Sequence, residues 1–115
     1  MPDDASFEAL KELYFSLDLN FDQLYAKCTT VEERTKFRND YVQARGNFLK
    51  ARNRIFKEDD PQVQNLVAEV SSARQQIQQS IDENQAIAQT LQIIAQGVKA
   101  GTALLAFAGF SPPIA

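Results

Sequence analysis

Asp60-Pro61-Gln62-Val63 opens the stretch that decides the fold of this chain, and Phe110 closes it. Counting sevens from Val63 gives Val70, Ile77, Asn84, Leu91, Val98 and Leu105. Counting sevens from Leu66 gives Ala73, Ser80, Ile87, Ile94 and Gly101. Two interleaved rows offset by three residues are the a and d positions of a heptad repeat. At ~1.5 Å per residue, one unbroken helix over 61–108 is on the order of 70 Å long. The rest of the chain is too short to cover it.

The start of this helix is marked twice. Asp60 is an N-cap with Pro61 at the first helical position, and the neighbouring carboxylates suit the positive end of the helix dipole. The acidic run Glu58-Asp59-Asp60 is therefore read as a cap, with no metal assigned to it. Ser80-Ile81-Asp82-Glu83 has the pattern of a second capping box and offers a break, giving four helices in place of three. The heptad count runs through it unchanged, which favours continuity. Asn84, at an a position between Ile77 and Leu91, is then a register-setting polar residue that must find a partner across the seam.

Upstream, Phe7, Tyr14, Phe21 and Cys28 fall seven apart, with Leu10, Leu17 and Leu24 between them. That spacing predicts an amphipathic helix over about 6–28 with Ser6 as its cap. Asp18-Leu19-Asn20 is its weakest point. Thr30 and Glu33 fit a capping box, so a second helix turns back and runs over 31–57. It carries a tandem heptad, 44–50 followed by 51–57, and a basic row of Arg38, Arg45 and Arg52. The fold expected is all-α: an antiparallel three-helix bundle or elongated coiled coil, one domain over 1–115, with a short tail at 111–115.

Composition narrows the function. With no histidine, the chain lacks the commonest general base and metal ligand. There is no Gly-rich phosphate loop, and the Glu-x-x-His pairs of carboxylate-bridged bundles are missing. No enzyme activity, metal or cofactor is assigned. Cys28 is the sole cysteine, so no internal disulfide forms, and its seam position suggests an inert thiol. Met1-Pro2-Asp3-Asp4 is acidic where a secretory signal is basic, so a cytoplasmic or membrane-associated location is expected. The net charge of −3 is segregated: −6 over residues 1–33, +7 over 34–57 and −4 over 58–115. The simplest destination for the basic row is the acids of the first helix, and nucleic acid is not expected as a partner.

From Ala86 to Phe110 the only charge is Lys99, and Gly97 and Gly101 have a GxxxG spacing. Left uncovered, this segment reads as an interaction surface built from Ile87, Leu91, Ile94, Gly97, Val98, Gly101, Leu104, Leu105, Phe107 and Phe110. The function expected is a helical interaction or assembly protein that self-associates or docks to a helical partner there. The alternative is a membrane-active subunit, pore-forming or translocator-like, that inserts this segment. Ala100 to Phe110 is too short to span a bilayer unaided.

Overall fold

The computed structural model describes residues 4–110, apart from the Phe110 side chain. The 111–115 tail and the residues before Asp4 lie outside them. Five helices are present among the described residues: α1 (Ala5–Leu19), α2 (Phe21–Lys27), α3 (Val31–Ala51), α4 (Pro61–Asp82) and α5 (Ile87–Ala106). Two short strands, β1 (Arg54–Ile55) and β2 (Gly109–Phe110), pair antiparallel. The long helix of the heptad reading is thus broken, and the all-α bundle has four main helices.

The break has a clear local cause. Asn84 has φ 52°, the left-handed region that asparagine tolerates better than most residues. Gln85 N–H donates to the Ser80 carbonyl at 2.9 Å and Asn84 N–H to Ile81 at 3.1 Å. These two bonds are the Schellman pattern, with Asn84 in the place that glycine usually takes. The chain then reverses through Glu83–Ala86, and α5 lies antiparallel on α4. Hydrophobic periodicity carries no information about this reversal, because both arms of a hairpin present their rows to the same core.

The first predicted helix also divides. Asn20 turns its side-chain amide back onto the Ser16 carbonyl at 2.8 Å, competing with the main-chain ladder, and α2 restarts from it. Asp4, not Ser6, caps α1, accepting from Phe7 N–H at 3.2 Å. Ser6 is buried inside the helix, where its N–H and hydroxyl both donate to the Glu58 carboxylate. Helix α3 begins with the Thr30–Glu33 capping box and stops at Ala51, six residues short of the expected end. Beyond Ala51 the second copy of the tandem heptad is therefore not α-helical. Arg54 and Ile55 extend to pair with Phe110 and Gly109, and Phe56 turns inward beside Leu10, Val63 and Leu104.

In cross-section the four long helices form a square in which α1 borders α3 and α4, and α5 borders the same two. Aromatic contacts between Phe7 and Phe48 and between Tyr14 and Tyr41 show α1 antiparallel to α3. The bond from Ser6 to Glu58 and the Glu12–Arg74 pair show α4 parallel to α1. Two hairpins thus lie side by side, joined by a diagonal crossing through residues 52–60. The core is filled by Leu13, Leu17, Phe37, Val70, Ile77, Ile94 and their neighbours. Each full burial of such a side chain is worth ~1.5–3 kcal/mol.

Candidate interaction surfaces

The segment read as an exposed interaction surface is mostly interior. Leu91, Ile94, Gly97, Val98, Gly101 and Leu104 are buried in the chain's own bundle, and Ile87 and Leu105 are half-buried. Only Phe107 is exposed, and the Phe110 side chain lies outside the described residues. The cause is the reversal at Asn84. Once the helix folds back, α3 and α4 cover what a continuous helix leaves bare.

The GxxxG spacing serves the same packing. A Cβ at Gly97 would stand 2.7 Å from the Ala73 Cβ, and one at Gly101 2.9 Å from the Leu10 Cδ2. These glycines let α5 approach α4 and α1. No described helix is long and apolar enough to cross a membrane.

Asn84 does not set register across a seam. It is exposed in the turn, and its role is backbone geometry. The buried polar contacts lie elsewhere. Ser80 and Thr90 bond to each other between α4 and α5, one helical turn from the reversal. Asn47 donates to the Thr102 hydroxyl at 3.1 Å while accepting from Gln43, tying α3 to α5.

What α5 shows to solvent is its polar side: Gln89, Gln92, Gln96, Lys99 and Thr102. With α4 this side borders a furrow of about 730 Å³. Its floor is small or aliphatic, including Leu66, Ala73, Ala100 and Ala103, and Ser72 lines one wall. Its only charged lining residues are Glu69 on α4 and Lys99 on α5. Neither Glu69 nor Lys99 belongs to an ion pair among the described residues, where the pairs are Lys11–Glu8 and Arg74–Glu12. Sequence reading missed this furrow because it belongs to two helices that periodicity had merged into one.

A second surface lies on α3. Arg38 and Arg45 on α3 and Arg52 at its C-cap are all exposed, and of the acids expected to pair with them, Glu8, Glu12, Asp18 and Asp22, the first three are engaged elsewhere while Asp22 is exposed and in no ion pair among the described residues. Glu8 holds Lys11, Glu12 holds Arg74, and Asp18 accepts from the Tyr41 hydroxyl at 2.5 Å. That hydrogen bond is the main reason the Tyr41 hydroxyl is raised well above the usual phenol range. Arg38 instead donates to the Tyr25 hydroxyl at 2.9 Å, with its guanidinium 5.7 Å from that ring.

Between α1 and α3 runs an aromatic seam: Phe7, Phe48, Tyr14 and Phe15 at one end, Tyr41, Phe21 and Tyr25 at the other. Phe15 is half-exposed on its edge.

Two titratable groups are perturbed for packing reasons. Burial, reinforced by Glu33, pushes the Cys28 thiol up, and the residue is a buried, free cysteine. Desolvation raises the Asp40 carboxyl against the opposing pull of Lys36, and its Oδ2 is buried without a hydrogen-bond partner. No group of three His, Cys, Asp or Glu able to hold a metal occurs among the described residues. Against protein-family models, curated proteins and solved structures, the chain has no match.

Proposed function

We propose that this chain is a non-enzymatic helical assembly protein that pairs with a second copy of itself through the outer face of the α4–α5 hairpin. The observation that carries the reading is the furrow with one acid on one wall and one base on the other. A two-fold axis through such a furrow sets Glu69 of each copy against Lys99 of the other, the self-complementary arrangement that an isologous dimer requires. Alanine and serine along the furrow admit close approach of helices, and the low charge around it lowers the desolvation cost of closing it.

Sedimentation equilibrium tests the proposal directly. The expected mass is twice the 12.9 kDa of one chain. Lys99→Glu alone and Glu69→Lys alone each shift it toward the monomer, and the double reversal restores the dimer. A monomer at every concentration, or a dimer indifferent to both reversals, overturns the reading. Insertion of the C-terminal segment into a membrane would require α5 to leave the bundle and expose Leu91, Ile94 and Val98. No observation favours it, and dye release from liposomes is the result that would revive it.

A further inference from the structure

The outer face of α3 carries a second, independent recognition pattern. Arg38, Arg45 and Arg52 recur every seven residues, and beside them Val42 and Leu49 repeat at the same interval. Arg38, Arg45 and Arg52 are exposed, while Val42 is 60% and Leu49 42% exposed, high values for aliphatic residues on a helix whose other side is packed into a core. Val42 and Leu49 supply one apolar position per heptad, and the arginines three residues after each form a single-sign edge beside it, as an edge position does next to a coiled-coil seam.

No acid among the described residues pairs with these arginines. Glu8, Glu12 and Asp18 have other partners, Asp22 stands exposed and reaches none of the three arginines, and neither Arg45 nor Arg52 belongs to an ion pair among the described residues. Arg38 is already oriented by Tyr25, so part of the ordering cost of binding is met before any partner arrives.

From this we infer that α3 docks an acidic amphipathic helix from another protein, one with aliphatic residues at heptad spacing and Glu or Asp along the edge that meets the arginines. Two features choose this occupant over a polyanion. Phosphate contacts have no use for Val42 and Leu49, which a nucleic acid backbone would leave facing charge and water. The arginine spacing of seven residues, about 10 Å along the helix, matches the heptad of a second helix turn for turn. The surface lies on the side of α3 away from α5 and does not overlap the α4–α5 furrow, so it stands whether or not the chain dimerises.

The test uses the full chain and a synthetic 21-residue helix with Leu at both seam positions of each heptad and Glu along the flanks, followed by fluorescence anisotropy. Saturable binding is expected, weakening as salt rises. The triple change Arg38→Gln, Arg45→Gln, Arg52→Gln is expected to weaken it about tenfold, the combined effect of three exposed ion pairs. Leu49→Ser and Val42→Ser are each expected to weaken it severalfold at any salt concentration. All these positions are exposed, so circular dichroism of each variant should match the parent, and the variants test binding and not folding.

Two controls decide against the inference. Tighter binding to a single-stranded oligonucleotide, or to vesicles containing phosphatidylserine, than to the peptide overturns it. So does peptide binding that survives the serine changes, because charge alone would then account for it.

Discussion

Three helical glycines face three different surroundings, and converting each to alanine should give three different answers. Alanine is favoured over glycine in a helix by roughly 1 kcal/mol through backbone entropy. At Gly46 nothing lies within 4 Å of the new methyl, so Gly46→Ala should stabilise the fold by about that amount. At Gly101 the methyl meets the Leu10 Cδ2 at 2.9 Å. This is the far end of a side chain that can rotate, so the propensity gain and the repacking cost should nearly cancel. At Gly97 it meets the Ala73 Cβ at 2.7 Å, an atom fixed to the α4 backbone. Relief there means moving one helix against another, and overpacking of that kind costs about 1–3 kcal/mol. After the propensity gain of roughly 1 kcal/mol, Gly97→Ala should be destabilising by up to about 2 kcal/mol.

Urea denaturation reads all three, with changes in midpoint at constant slope reporting stability. Ala73→Gly added to Gly97→Ala removes the opposing methyl and should recover most of the loss beyond the ordinary cost of a helical glycine. If Gly97→Ala is as stable as Gly46→Ala, the close approach of α4 and α5 is wrong, and with it the hairpin.

Other perturbations bear on the same architecture. Asn84→Leu should lower the melting temperature, because a branched residue in the left-handed region costs about 1–2 kcal/mol, whereas Asn84→Gly should leave it nearly unchanged; a register-setting Asn84 in a continuous seam predicts a rise with Leu. Asp40→Asn should stabilise the protein at neutral pH. Its carboxyl is raised in the folded state, so its ionisation works against folding as pH climbs from the unfolded value of about 4 through the folded value. The gain over the parent should vanish in acid, and denaturation curves at pH 3 and pH 7 compare the two. Thr30→Ala removes half of the α3 capping box and should cost about 1 kcal/mol, read by thermal denaturation at pH 7. Glu33, lowered chiefly by the Thr29 N–H, contributes stability present at neutral pH and lost as pH falls through its folded value, and since Thr30→Ala keeps the Thr29 and Thr30 N–H donors, parent and variant should both lose this contribution in acid.

How much of this was legible in the sequence follows from what periodicity encodes. It reports which side of a helix is apolar, and it placed Leu10, Leu17, Leu24, Val63, Val70, Ile77 and Ile94 where the core is. Cap chemistry at Thr30, Glu33, Asp60 and Pro61 marked two helix starts to the residue. Reversals were harder. Asn84 and Asn20 end helices through a backbone conformation and a side-chain bond to the main chain, and neither disturbs the heptad count. That one omission left α5 without a cover and turned six core residues into an apparent docking surface. The end of α3 was hidden for a related reason. A helix continued to 57 puts Ile55 at core spacing, whereas the extended segment leaves Ile55 exposed and turns Phe56 inward, an exchange that helical periodicity cannot anticipate. The α4–α5 furrow and the Val42–Leu49 row needed three dimensions: the first is made by two helices, the second by residues that the core leaves out.

The small clasp between β1 and β2 bears on how the chain assembles as it is made. Both hairpins are built from neighbouring segments, and α4 and α5 are separated by only the Glu83–Ala86 turn, so each can form soon after its residues appear. The clasp joins Arg54 to Phe110 and Ile55 to Gly109 across the whole second hairpin. During synthesis from the N-terminus, its second strand emerges after every helix it helps to tie. Phe56 and the end of α3 therefore wait for residues 109–110 before their surroundings are complete. A chain released before that point would hold its helices and leave the Arg54–Ile55 edge open to another strand.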